Sequence, residues 1–200
     1  MPDKRVFILV FDGFADWEPA YALAELRRTG KYEVTAAGYT ADPVTSMGGL
    51  RVLPDCVLGD VRPEEVALFI LPGGDAWEGD YPAASLEPLL RDLESKEIPI
   101  AAICGATLAV ARAGLLDGRQ HTSTDRASLE KMVTGYAGAD HYVEALAVED
   151  RGVITASGLG AVEFACEIFA LLQVFSESDL RLWFDLFKHG DMSRLNPKRE

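Results

Sequence analysis

The strongest constraint on the fold is an alternation. Short apolar runs rich in β-formers trade places with helical patterns along almost the whole chain. Arg5–Phe11 (RVFILVF) is apolar at consecutive positions, not at every second one, which is the pattern of a strand buried on both faces. WEPAYALAELRRTG follows, and its spacing predicts an amphipathic helix with Ala20, Leu23, Ala24 and Leu26 facing inward and Gly30 ending it. YEVTAAG, VALFILPGG and PIAAIC read as further strands, with SLEPLLRDLESKE and GATLAVARAGLL as the helices around them. Strands separated by helices require crossover connections, and therefore a mainly parallel sheet covered on both faces. The expectation is a flavodoxin-like three-layer α/β/α sandwich.

Two segments depart from the alternation. VTSMGGLRVLPD, with Gly48-Gly49 at its centre, predicts a small hairpin. HYVEALAVEDRGVITAS predicts two strands joined at Asp150-Arg151-Gly152, with His141 in the first; together with the hairpin they are expected to form an antiparallel accessory. GAVEFACEIFALLQVF is then a strongly amphipathic helix. The domain is expected to span residues 1–175. Residues 176–190 predict one more helix, capped by Ser176 and with Asp179 at its positive end. Its stripe of Leu180, Trp183, Phe184 and Phe187 must cover either its own domain or a homodimer partner. Residues 191–200 read as a loose tail.

Composition narrows the partners. With 19 basic against 32 acidic side chains and a formal charge of −13, the surface repels phosphate backbones and anionic lipid. Nucleic acid and membrane are therefore not expected, and a small-molecule substrate is. The apolar stretch in Arg5–Phe11 is too short for a signal peptide, and no run approaches the ~20 residues of a membrane span. Cys56, Cys104 and Cys166 form no CxxC pair and stand in no Cys/His cluster, so neither a disulfide framework nor a metal or other cofactor is expected. That sparse cysteine usage fits a reducing, cytoplasmic setting.

Parallel α/β sheets bind ligands at the carboxyl ends of their strands. Three segments bring reactive residues to that edge: DGFADWE with Asp12, Asp16 and Glu18, LPGGDAW, and ICGAT with Cys104. A cysteine between an apolar strand and a helix has the layout of a nucleophile elbow. The helix N-terminus behind Cys104 is expected to stabilise a thiolate and lower the thiol's pKa. The backbone N–H groups of the glycine turn can face a developing oxyanion. Of the three carboxylates, Glu18 has the most apolar neighbours in sequence, which suits a desolvated proton carrier, though composition leaves the choice open. Asp75 and Trp77, just past the glycines, are candidate pocket residues together with Gly73. Cys56 and Cys166 read as filler, and His141 and His189 as structural or solvated. SGLGAVEFA begins like a dinucleotide motif but has Glu163 where a small residue belongs, so it reads as a packing turn.

FDGFADWE, LFILPGG and AAICGATLAVARAGLLDGR, followed by ITASGLGAVEFACEI, resemble the ThiJ/PfpI superfamily over roughly residues 5–175. That group includes intracellular-protease-like proteins and protein deglycases, and its fold is that of the class I glutamine amidotransferases. The resemblance implies that Cys104 is the reactive elbow cysteine and Glu18 its protonated acid partner. It also implies that the N–H groups of Gly74 and Gly105 form the oxyanion site. There is one departure. Many relatives have a histidine directly after the cysteine, where Gly105 stands here; others have one about twenty residues on, at what corresponds to Thr124. His121 lies three residues earlier and is carried as a pocket candidate with Thr124. Three functions follow as expectations. One is a cysteine-dependent hydrolase, amidotransferase-like or glyoxalase/deglycase-like enzyme acting on a small carbonyl or amide. Another is a redox-sensing or stress-protective protein whose same cysteine oxidises to sulfinic acid. The third is a non-catalytic binding module.

Overall fold

The computed structural model describes residues 5–193. The expected tail lies outside the described residues from position 194 onward. Nine strands and six α-helices follow in chain order: β1 (Arg5–Val10), α1 (Ala20–Arg28), β2 (Glu33–Gly38), β3 (Val44–Thr45), β4 (Arg51–Val52), β5 (Cys56–Val57), β6 (Val66–Leu71), α2 (Ala83–Ser95), β7 (Ile100–Ile103), α3 (Ala106–Arg112), α4 (Arg126–Met132), β8 (Ala147–Asp150), β9 (Val153–Ala156), α5 (Ala161–Leu171) and α6 (Glu177–His189). Seven of the strands form one sheet in the order β5-β2-β1-β6-β7-β9-β8, parallel throughout except for β8 against β9. Helices cover both faces, α1 with α5 and α6 on one, α2 with α3 and α4 on the other. This is the flavodoxin-like α/β sandwich expected from the alternation.

The middle of the sheet explains the consecutive apolar runs. Val6 to Val10 in β1 and Leu68 to Leu71 in β6 are each at most 4% exposed, because both sheet faces are roofed by helices. Each such side chain contributes about 1.5–3 kcal/mol relative to exposure. In α1 the predicted inward face is shifted. Ala22 and Leu26, four residues apart, are buried, Leu23 is half-buried, and Ala20 and Ala24 face outward. Alanines carry too little apolar surface to fix a helix's rotation, so Leu26 and the sheet beneath it decide. Thr29 caps this helix, and Gly30 leaves it with φ +69°.

The late strands are not an accessory. Parallel pairing of Ile100–Ile103 with Val153–Ala156 makes β9 an inner strand of the main sheet, and β8 closes the edge beside it. Only β3 and β4 stand apart, as a two-stranded hairpin. His141 sits on an exposed single turn of 3-10 helix, not in a strand. At the far end, the Ser176 hydroxyl accepts from the Asp179 N–H and starts α6. Trp183 is buried edge-on against Phe169 of α5, and a Lys188–Glu163 ion pair of 2.6 Å ties the same two helices. Glu163, the residue that spoiled a dinucleotide motif, is thus half of a tie between helices.

Candidate active site

Four neighbouring parallel strands, β1, β6, β7 and β9, end on one edge of the sheet, and each hands a loop to the same place. The loop after β1 carries Glu18, which is 1% exposed, and it enters α1 one residue later at Pro19. Past β6 come Pro72, Gly73 and Gly74. The chain leaves β7 through Cys104, and leaves β9 through Ser157 and Gly158.

Cys104 has φ +60°, in the left-handed region that costs a non-glycine residue about 1–2 kcal/mol. Its N–H donates to the Ala156 carbonyl at 2.8 Å, which ties the strained residue to the end of β9. Gly105 then opens α3. The result is an elbow that turns the thiol away from the sheet.

Glu18 arrives from the opposite side. The Gly73 N–H donates to its Oε2 at 2.6 Å. Two glycines leave room for the pair. A Cβ on Gly73 would fall 2.5 Å from Glu18 Oε2 and 2.8 Å from Cys104 Cβ. A Cβ on Gly158 would fall 3.0 Å from Cys104 Sγ and 3.3 Å from Glu18 Oε1. Any side chain at position 158 would therefore press on both groups, although its local sequence reads only as a packing turn. Gly158→Ala keeps an allowed backbone but pushes on the sulfur. Activity is expected to fall about 10- to 100-fold, since misplacing a reacting atom by an ångström costs that much. Steady-state kinetics, with a urea melt to verify folding, checks it; wild-type turnover would show that this contact does not matter.

Burial dominates the titration of both groups. It pushes the Glu18 carboxyl up, with the Gly73 N–H and the Cys104 thiol pulling part of the way back. The Cys104 thiol is also pushed up, first by burial and then by the charge of Glu18, against the Thr124 hydroxyl and the Gly105 N–H, which hydrogen-bond to it. The expected lowering by the helix N-terminus is therefore corrected. Helix α3 has seven residues, and its end cannot outweigh desolvation beside a carboxylate. Burial thus favours the neutral, protonated form of each group. Cys166 is likewise pushed up, to about 11, by burial and by the nearby Glu167 and Glu163.

The cleft over this pair has a volume of about 230 Å³. Cys104, Glu18, Gly74, Gly105, Asp75 and Thr124 all border it. So do Trp17, Met47 and Leu108 as apolar walls, and Ser123, Glu78 and Asp125. Met47 comes from the β3–β4 turn, whose sequence carries no sign of the site, and Ser123 from the stretch before α4 that also supplies Thr124. Among the described residues no acceptor takes the Gly74 N–H, and Gly74 borders the cleft. Where the chain bridges Phe14 and Gly74, the bond runs instead from the Ala15 N–H to the Gly73 carbonyl at 2.9 Å.

Several candidates lie elsewhere. Trp77 is fully buried behind the glycine turn, its Nε1–H bound to the Pro72 carbonyl at 2.8 Å, and it backs Gly105 without lining the cleft. Gly73 is buried, its N–H committed to Glu18. His121 is also fully buried. Its Nδ1 meets the Arg119 carbonyl at 2.7 Å, its Nε2 meets the Tyr136 hydroxyl, and Tyr136 and Tyr142 stack edge-on to the ring. Burial lowers its pKa, so it is a neutral core residue. Asp12 and Asp16 hold the hairpin to the loop after β1, through the Thr45 N–H and the Ser46 hydroxyl. Among the described residues no group of three or more His, Cys, Asp or Glu side chains could hold a metal ion, and no helix is long and apolar enough to cross a membrane.

Comparison with known proteins places this arrangement. The chain is 36% identical over 199 residues to the uncharacterised protease YoaZ of Bacillus subtilis, covering 94% of this chain and 92% of the relative. It is 32% identical over 120 residues to a deglycase of Thermococcus kodakarensis, covering 60% and 72%. The crystal structure of a ThiJ/PfpI family protein from Bacillus anthracis superposes with a TM-score of 0.86 at 34% identity, covering 98% of this chain and 94% of that one. The profile of the DJ-1/PfpI family matches residues 4–171, and the chain belongs to that family.

Proposed function

We propose that the protein is a cysteine-dependent enzyme that adds Cys104 to the carbonyl carbon of a small 2-oxoaldehyde or of an adduct derived from one. The observation that carries this reading is the convergence of the Cys104 sulfur and the buried Glu18 carboxyl on Gly158. The relatives named protease and deglycase support the hydrolase or deglycase class. The choice within it rests on proton accounting. As the S–C bond forms, the thiol proton passes to the Glu18 carboxylate and the carbonyl π pair moves onto oxygen. The N–H groups of Gly74 and Gly105 receive that oxygen. Glu18 then returns the proton to it, which gives a thiohemiacetal. One proton carrier suffices for this addition; carrying the thiohemiacetal on to product takes a further proton transfer and water. Hydrolysis of a peptide or amide must in addition protonate a strongly basic amine leaving group, and the nearest histidine in sequence, His121, has both ring nitrogens engaged elsewhere.

The test is a substrate panel of a 2-oxoaldehyde, glutamine and a peptide, with rapid quenching and mass spectrometry. Turnover of the 2-oxoaldehyde, with a substrate mass trapped on the peptide containing Cys104, is the expected result. Turnover with no adduct on Cys104, or activity confined to the peptide, overturns it.

A further inference from the structure

Cys104 and Gly105 share one peptide group, whose N–H is one of the two assigned above to the oxyanion. Its carbonyl, on Cys104, accepts from the Thr107 N–H at 3.2 Å and more closely from the Thr107 hydroxyl at 2.7 Å. The Ser123 hydroxyl stands 2.7 Å from that of Thr107. A hydroxyl has a single proton to give. With the Thr107 proton on the carbonyl, Ser123 donates to the Thr107 oxygen, and the two hydroxyls form a chain that ends on the elbow. Both residues are buried, Thr107 completely, so bulk water does not compete for these bonds.

We infer that Thr107 is a positioning residue whose hydroxyl, backed by Ser123, locks the Cys104–Gly105 peptide and so aims the Gly105 N–H at the developing oxyanion. The inference deepens the functional reading and rests on its assignment of that N–H to the oxyanion. The physical link is planarity. The peptide is trans. Its N–H and carbonyl therefore point in opposite directions within one plane, and holding the carbonyl holds the N–H. The local backbone gives little help. Cys104 is at φ +60°, which its own preference does not favour, and a glycine backbone is permissive. Hydrogen bonds must supply the rigidity. The Cys104 N–H is tied to the Ala156 carbonyl at 2.8 Å, which fixes the peptide before the cysteine. The Thr107 hydroxyl fixes the peptide after it. A hydrogen bond on the carbonyl also polarises the group and strengthens its N–H as a donor.

The experiment compares wild type with Thr107→Val, Thr107→Ser and Ser123→Ala, by steady-state kinetics on the 2-oxoaldehyde and by the amide NMR spectrum of the substrate-free protein. Valine keeps the shape and the backbone bond but loses the hydroxyl. Thr107→Val is expected to lose about 10- to 100-fold in kcat with KM nearly unchanged, because an oxyanion donor acts in the transition state. Thr107→Ser should recover most of that loss, and Ser123→Ala, which removes only the outer hydroxyl, should show a smaller one. In the spectrum, the Gly105 amide signal is expected to move in Thr107→Val and return in Thr107→Ser. The signal of Gly73, whose N–H is held by Glu18 at 2.6 Å, should stay put. An unmoved Gly105 signal, full kcat in the valine variant, a loss confined to KM, or a serine variant that behaves like valine overturns the inference. Equal shifts at Gly105 and Gly73 overturn it too, since they mean a general loosening of the site. If wild type turns over nothing in the panel above, the functional reading fails and the Gly105 signal alone decides this inference. Should the valine variant fail to fold, the double variant Thr107→Val with Ser123→Ala, which strands no hydroxyl, is read against the same outcomes.

Discussion

Cys104→Ser is expected to lose at least about a thousandfold in kcat while keeping its fold, because a serine hydroxyl ionises far less readily than a thiol and this site holds no dedicated base strong enough to compensate. The left-handed backbone at this position is as accessible to serine as to cysteine. The bond from the residue 104 N–H to Ala156 does not involve the side chain. Gly105, Thr124 and Glu18 can each hydrogen-bond to a hydroxyl as they do to the thiol. Stability should accordingly stay within about 1 kcal/mol of wild type, as for a near-isosteric change that keeps its partners. Kinetics on the 2-oxoaldehyde, alongside urea unfolding, gives both numbers. A serine variant within tenfold of wild type would mean that the sulfur is not the nucleophile.

Glu18 should show its role through two substitutions that differ in stability and agree in activity. Glu18→Ala strands the buried Gly73 N–H without its acceptor, at a cost of about 1–3 kcal/mol. Glu18→Gln keeps an oxygen for that N–H but cannot take a proton from the thiol. Both are expected to lose about 10²- to 10⁴-fold in activity, the range of a lost proton carrier. The pH dependence of stability separates them from wild type. The folded carboxyl has a pKa above its ordinary 4.5, so between those two values the folded protein binds more proton than the unfolded chain. Stability therefore falls as pH rises through that acidic window, then levels off once the folded carboxyl is ionised. Glu18→Gln loses that contribution, and its slope in the window should be shallower than wild type's, with the raised carboxyl of Glu167 still titrating there. The raised thiol of Cys104 acts in a separate, alkaline window, above its ordinary 9.0. An identical slope in wild type and Glu18→Gln would show that Glu18 is not the perturbed acid.

The order of elements, the two-faced burial of β1 and β6, the hairpin and the capping of α6 were legible in the chain because each is a local property. Periodicity over a few residues distinguishes strand from helix, and Ser176 with Asp179 forms a cap wherever the helix goes. Cys104 was legible for a related reason: strand, cysteine, glycine, helix defines an elbow by itself. Helix α4 and the short edge strand β5 went unread. Each is brief, and Arg126–Met132 buries only Leu129, so neither stands out in apolar spacing.

What sits around the sulfur could not be read in that way. Glu18 and Gly73 are 55 positions apart. Asp12, Asp16 and Glu18 share one loop and one charge, and only the packed chain turns the last of them inward. The same holds for His121, which local sequence puts near the elbow and the core takes away, and for Gly158, a turn glycine in sequence whose missing side chain leaves room for both Cys104 and Glu18. The thiol's upward shift reverses the local expectation because burial and a neighbouring carboxylate are set by strands from other parts of the chain.

The sequence by itself determined which segments are strands and helices, and which cysteine lies at a strand-to-helix turn. Tertiary structure decided how Glu18, Gly73 and Gly158 close around that cysteine, and that His121 does not. The physical reason is range. Backbone preference and side-chain periodicity act over a few residues, whereas desolvation and hydrogen bonding depend on which strand ends the crossovers bring side by side.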